Sequence, residues 1–261
     1  VGAKLLTGEE YGGHAFWDTE LFMLPFFAWV FPKTAQNLEN YRYYLLDAAR
    51  ENAHKNGFNG AQYPWESADD GSEQCPDWTI EPDGSCYRCY VAVYEHHVTA
   101  AVAYGIYDYV KITGDIDFLY TKGAEILTET ARFWASRCEY NNEQDRYEIN
   151  QVTGPDEWHE PVNNNLYTNY LARWNLKYVL SLLEVMKKEE TSSYNELVEK
   201  TGLTEMETAK WKEVQEKIYL PRKEGTKLLE QFEGYFELDN VTIEKYDEND
   251  WPIRPEALKT K

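Results

Sequence analysis

The segment VTAAVAYGIYDYVKITGDIDFLYTKGAEILTETARFW, Val98 to Trp134, decides the fold of this chain. Val98, Ala101, Val102, Gly105, Ile106, Tyr109 and Val110 recur at i, i+3, i+4 and i+7, the spacing of one apolar helix face. Leu119, Gly123, Ile126, Leu127, Thr130, Ala131 and Trp134 repeat it. Thr113-Gly114-Asp115 reads as a helix stop followed by an N-cap, which predicts an antiparallel helical hairpin. Outward from it, Leu38, Tyr41, Leu45, Ala48 and Ala53 mark an earlier helix, and Leu171, Trp174, Tyr178, Leu182 and Val185 a later one. The apolar run Leu21 to Phe31, interrupted by Pro25, reads as a buried helix, and Glu205 to Ile218 as a surface helix. Arg146 to Thr153 alternates enough for one short strand. The chain is therefore read as all-α.

Bulk properties narrow the function. At 261 residues the chain suits one large core, and no low-complexity linker divides it, so residues 1–261 are read as a single domain. Aromatic residues make up 15%, with 21 Tyr and nine Trp, which suits a helical toroid, a sugar cleft, or both. The net charge of −20 speaks against nucleic acid and anionic membranes as partners. No stretch approaches the length of a membrane-spanning helix, and Val1 to Glu10 does not read as a signal peptide; the expectation is a cytoplasmic protein. Cys86-Tyr-Arg-Cys89 has the spacing of a metal or redox pair but lacks a second Cys pair and a nearby His, so reduced thiols and no metal are expected. His96 and His97, adjacent on a helix, point about 100° apart and so rarely share one ion. His97 is read as a packing residue that supports its neighbours.

Three long segments rich in Gly, Pro, Asn and Asp, residues 57–90, 139–166 and 219–255, lie between the helices, and loops of that length are usually functional. Gly154 to Asn169 reads Gly-Pro-Asp-Glu-Trp-His-Glu-Pro-Val-Asn-Asn-Asn-Leu-Tyr-Thr-Asn. Carboxyls exchange protons, aromatic rings cover the apolar face of a pyranose, and amides bind hydroxyls, so this composition suits a sugar site. Gly13 to Glu20 (Gly-His-Ala-Phe-Trp-Asp-Thr-Glu) and Gly60 to Ser67 (Gly-Ala-Gln-Tyr-Pro-Trp-Glu-Ser) share the flavour, each placing a Trp before an acid. Taken singly, each Trp could be core, and Asp18 or Ser67 a helix cap. Three aromatic–acid loops in one chain favour a common cleft.

In these three segments, in this order, the chain resembles glycoside hydrolase family 65, the inverting α-glucoside phosphorylases that include maltose, trehalose, kojibiose and nigerose phosphorylases and a few hydrolases. The resemblance runs from about Leu6 to Asn175. It implies an (α/α)6 barrel, of which about half the helices can be counted, with the site built from inter-helix loops at one end. By the same resemblance Glu157 is the general acid, ahead of Asp156. Trp17, Asp18, Trp65 and Glu66 then line the subsite of the transferred glucosyl unit, and Tyr11, His159 and Asn165 are candidates for the acceptor sugar. Inorganic phosphate is the implied nucleophile and co-substrate; no other cofactor is implied, and the family often forms homodimers. Leu228 to Tyr246 is read as a loop across the barrel mouth.

The pattern breaks at the end. A Lys-Gln pair and a Ser- and His-containing phosphate-binding segment do not appear before Lys261, and the usual preceding β-sandwich is missing. The chain is therefore expected to be a piece of a longer protein, incomplete at its C-terminal end. Three functions stay open at this point: phosphorolysis of an α-linked glucose disaccharide with inversion to β-glucose 1-phosphate, inverting hydrolysis on the same scaffold, and sugar binding without turnover. A kojibiose-type acceptor is a mild preference.

Overall fold

A computed structural model describes residues 11–80 and 84–253. A π-helical turn, Thr19–Met23, leads into α1 (Leu24–Val30), followed by α2 (Pro32–Tyr44) and α3 (Leu46–Lys55). Strands β1 (Trp78–Ile80) and β2 (Cys86–Arg88) pair as an antiparallel hairpin before the short α4 (Val91–Tyr94) and the long α5 (His97–Thr113). Helix α6 (Ile116–Phe118), a π-helical turn (Leu119–Gly123) and α7 (Ala124–Arg137) run on without a break. A second hairpin, β3 (Glu139–Asn141) with β4 (Arg146–Glu148), precedes α8 (Leu166–Glu189), α9 (Thr191–Thr201) and α10 (Glu205–Lys217).

The hairpin predicted around Gly114 forms as its residues require. Gly114 closes α5 in the left-handed region at φ 73°, where a Cβ would be strained, and Asp115 accepts from the Phe118 backbone N–H at 3.0 Å to open α6. Helix α5 packs against α1, α2, α7 and α8. It can do so because Ala100, Ala101, Ala103 and Gly105 keep it thin while Val98, Val102 and Ile106 fill the gaps; all are buried. A helix apolar on nearly every side belongs in a core.

Three expectations change in detail. The predicted strand over 146–153 extends only through β4, and Val152 instead pairs with Val162 as an isolated bridge. The apolar run Leu21 to Phe31 is helical but not buried as a whole. Leu24 and Ala28 are buried, whereas Phe22 is 63% and Trp29 74% exposed, with Phe26, Val30 and Phe31 beside them. Composition states that such a helix is apolar all round; it cannot say which stripe meets a neighbour. Helix α10 forms as read and starts with a Thr204–Glu207 capping box, yet it buries Trp211 and Val214 against the core. Helix α9 escaped sequence reading because Leu197 is its single buried residue, too little for a period to show.

A polar cluster sits among α2, α5 and the turn before α1. Arg42 holds Glu20 in a two-pronged ion pair at 2.6 and 3.0 Å, with their side chains 0% and 2% exposed. Glu39, next to them, is 1% exposed, and neither of its carboxyl oxygens has a hydrogen-bond partner. Burial raises its pKa well above the ordinary range, the Glu20 charge adds to that, and Arg42 opposes it. A raised carboxyl pKa means the folded state prefers the protonated form, so stability is lost as pH climbs from the ordinary Glu value through the folded one. Glu39→Gln in the full-length protein mimics the protonated form. It is expected to raise Tm by roughly 2 °C or more above pH 8 and to converge on wild type near pH 4, read by thermal unfolding across that range.

Candidate active site

Two of the three aromatic–acid loops are tied edge to edge. Ala15 and Ser67 exchange both backbone hydrogen bonds, at 3.0 and 2.9 Å, so the chain before Trp17 runs beside the chain after Glu66. Arg42 fixes the same pair from behind: its guanidinium donates to the Phe16 carbonyl at 3.3 Å, and its own carbonyl accepts from the Tyr63 hydroxyl at 2.9 Å. The second loop wraps around the Glu73 carboxylate, which accepts from the backbone N–H groups of Trp65 (2.7 Å), Glu66 (2.9 Å) and Cys75 (3.1 Å). The helix-cap alternative is not met at either residue, while both tryptophans, half-buried, pack against the edge of the core. Asp18 occupies the N-cap position of the first helical turn but makes no capping hydrogen bond, and the Ser67 hydroxyl accepts from Tyr41 at 2.8 Å.

Side chains from four segments then converge. Trp17 and Trp65 are half-buried, and Phe16, between them, meets the Trp65 ring edge-on at 4.9 Å. The Trp65 indole N–H donates to Glu95 at 2.7 Å, and His14 Nδ1 lies 2.7 Å from the Glu66 carboxylate. The His97 ring stands edge-on to Trp17 at 5.0 Å and to Tyr167 at 5.5 Å. His96 turns the other way: Arg137 donates to its Nδ1 at 3.0 Å, and the ring packs on Phe58. The two histidines thus serve different surroundings, as their helical spacing requires.

The third loop presents the adjacent carboxylates differently. The Glu157 backbone N–H donates to the Gly154 carbonyl at 3.1 Å, forming a tight turn, and Glu157 itself adopts φ 56°. Few non-glycine residues accept that left-handed conformation, and those that do gather at functional sites. Asp156 is held on two sides, by His159 Nδ1 at 2.8 Å and by the Gln231 amide. Glu157 opens to solvent. Its pKa is nonetheless raised, first by partial burial and next by the Glu95 charge, with Asp18 and Glu160 adding and His97 opposing. These groups therefore lie within electrostatic reach of one another.

The acceptor candidates divide. Tyr11 packs its ring on Phe16 at 5.0 Å, beside the first loop. His159, turned towards Asp156, packs on Phe232 at 5.0 Å. Asn165 is 2% exposed, accepts from the Thr168 backbone N–H at 3.1 Å as the cap of α8, and packs against Gly154 of the Glu157 turn. Its residue type already carried that signal, since Asn before an apolar helix is a preferred cap. Within the 228–246 segment, the Gln231 carbonyl accepts from the Leu166 backbone N–H and the Glu233 backbone N–H donates to the Asn163 carbonyl, beside the turn that carries Glu157.

Sequence reading missed Glu95, Glu73 and Gln231. Glu95 was legible only as the residue before two histidines. Glu73 and Gln231 act through contacts that no local pattern announces.

With this geometry in hand, comparison with known proteins assigns the family. The model for the glycosyl hydrolase family 65 central catalytic domain matches residues 1–261. A kojibiose phosphorylase of Caldanaerobacter subterraneus subsp. tengcongensis is 55% identical over 258 residues, 99% of this chain and 34% of that protein. A kojibiose phosphorylase of Thermoanaerobacter brockii is 54% identical over 99% of this chain and 33% of its own length. A solved structure described as a candidate kojibiose phosphorylase from the human microbiome superposes with a TM-score of 0.83 at 32% identity, covering 97% of this chain and 35% of that one. The chain belongs to glycosyl hydrolase family 65, and its helices are part of an (α/α)6 barrel. It spans about a third of the length of these relatives.

The acid turn depends on one close approach. A Cβ on Gly154 would lie 2.2 Å from the Asn165 side-chain nitrogen, a contact that forces the turn or the cap to move. Gly154→Ala is expected to cost about 1–3 kcal/mol, as overpacking does. Adding Asn165→Ser, which shortens the side chain but keeps a good cap, should recover more than half of that loss in denaturant unfolding.

Proposed function

We propose that this family 65 chain carries the acid and the glucosyl subsite of an enzyme that cleaves an α-linked glucose disaccharide with phosphate, inverting the anomeric centre to give β-glucose 1-phosphate and a free sugar. Glu157 is the general acid. The observation that carries this assignment is the contrast between neighbours: Asp156 is held by His159 and Gln231, while Glu157 faces solvent beside the other two loops with a raised pKa. A carboxyl whose pKa is raised holds its proton longer and is better suited to protonating the leaving oxygen, and burial with like charge is how proteins arrange that.

The remaining roles follow from the chemistry. Asp18 and Glu66 bind the hydroxyls of the glucosyl unit, and Trp17 and Trp65 pack beside its ring. Inversion requires the nucleophile on the opposite ring face from the acid. Inorganic phosphate fills that role without a protein base, and sugar and phosphate are thus the proposed partners. The 55% and 54% identities to kojibiose phosphorylases favour kojibiose as the disaccharide. The alternative reaction, hydrolysis, would need a carboxylate base for water.

Full-length protein incubated with kojibiose, maltose, trehalose and nigerose, each with and without inorganic phosphate, tests the reading directly. Phosphate-dependent glucose 1-phosphate from kojibiose is expected; glucose release indifferent to phosphate would make the enzyme a hydrolase. Glu157→Gln should lower kcat by roughly 10²–10⁴-fold while sugar still binds, and Asp156→Asn should be the milder change. The reverse order would move the acid to Asp156.

A further inference from the structure

Three of the site loops converge on a buried pair that the chemistry above leaves without a role. Glu95, 3% exposed, lies at the junction of α4 and α5. One carboxyl oxygen accepts from the Trp65 indole N–H at 2.7 Å and lies 3.1 Å from His97 Nε2; the other is buried without a hydrogen-bond partner. His97 is fully buried, its Nδ1 likewise lacks a partner, and its ring abuts Trp17 and Tyr167. The charged groups acting on the pair come from several elements: Glu73 from the second loop, and Asp156, Glu157 and Glu160 from the acid turn. Asp18 of the first loop acts on Glu157 itself.

We propose that Glu95 and His97 are positioning residues for this site: Glu95 holds the Trp65 indole directly and the Trp17 indole through His97, and its carboxyl lies within electrostatic reach of Glu157. This rests on Glu157 being the acid. The indole N–H is the only donor of the Trp65 side chain, so the bond to Glu95 fixes the plane of a ring meant to cover a sugar. His97 has no freedom to turn, because its ring is wedged between Trp17 and Tyr167 while Nε2 meets Glu95. Burial lifts Glu95 to about 8 and lowers His97 to about 4, so at neutral pH the pair is uncharged, a carboxylic acid beside a neutral imidazole. When Glu95 ionises, its negative charge makes the Glu157 proton harder to remove; two carboxyls in one site release protons in separated steps.

The test uses full-length protein with its disaccharide and phosphate, measuring kcat and KM across pH 5 to 9. Glu95→Gln keeps an oxygen for the Trp65 N–H but cannot ionise. Its KM should stay within about twofold, while the basic limb of kcat/KM moves down by roughly one pH unit. Glu95→Leu loses both functions, so KM should also rise about tenfold. Trp65→Phe should raise KM with the basic limb unmoved. A merely structural Glu95 would instead give Gln and Leu variants that lose thermal stability alike with the limb at its wild-type position, which overturns the inference. Glu157→Gln separates the two levels. If it abolishes turnover while Glu95→Gln leaves the pH profile unchanged, the acid stands and the positioning role falls; if it turns over normally, the acid assignment and this inference fall together.

Discussion

The arrangement of the site rests on one buried cation. Arg42, fully enclosed, joins α2 to the Glu20 carboxylate, to the carbonyl before Trp17 and, through its own carbonyl, to the hydroxyl of Tyr63 two residues before Trp65. A guanidinium suits this place because its planar fork donates in several fixed directions and never loses its charge. Breaking such a pair by removing one partner commonly costs about 3–5 kcal/mol, since the other charge is left buried and alone. Here the same loss would also release both tryptophan loops from the helix that carries them, so folding energy and site geometry share one anchor.

The acid turn solves a different problem. In the proposed reaction one of two adjacent carboxylates must give the proton, and their surroundings favour Glu157 over Asp156. Asp156 is absorbed by His159 and Gln231, a residue distant in sequence, while a left-handed backbone at Glu157 swings its carboxyl away from those partners. Gly154 and Asn165 pack the turn against the start of α8, so the exposed Glu157 is carried by a turn tied to a helix end.

The high aromatic content proves to have more than one use. Trp134, Phe133 and Trp211 fill the core. Trp17 and Trp65 stand at the site, Trp65 against Phe16 and Trp17 against His97 and Tyr167. A further cluster, with Trp174 stacked on Tyr178 at 5.4 Å and flanked by Tyr104 and Tyr107, joins α5 to α8. The exposed Phe22, Phe26 and Trp29 form the outer stripe of a helix whose inner stripe, Leu24 and Ala28, is core. Composition alone could not separate these roles.

What the sequence determined by itself is what depends on short-range order. The α5–α7 hairpin was legible because helix period, Gly114 and the Asp115 cap all act within a few residues of one another. The three aromatic–acid loops were legible because their chemistry is written in adjacent residues. Which side of the Leu21 to Phe31 helix faces inward and the parts played by Glu95, Glu73 and Gln231 were decided only by tertiary structure. The Glu95 and Gln231 contacts join residues 30 and 75 positions apart, Glu73 gains its partners only when its own loop closes on it, and the helix faces depend on packing against neighbours. Local pattern fixes what a segment can be; only the folded chain determines what its side chains meet, and at a catalytic site that meeting sets charge, proton and ring plane.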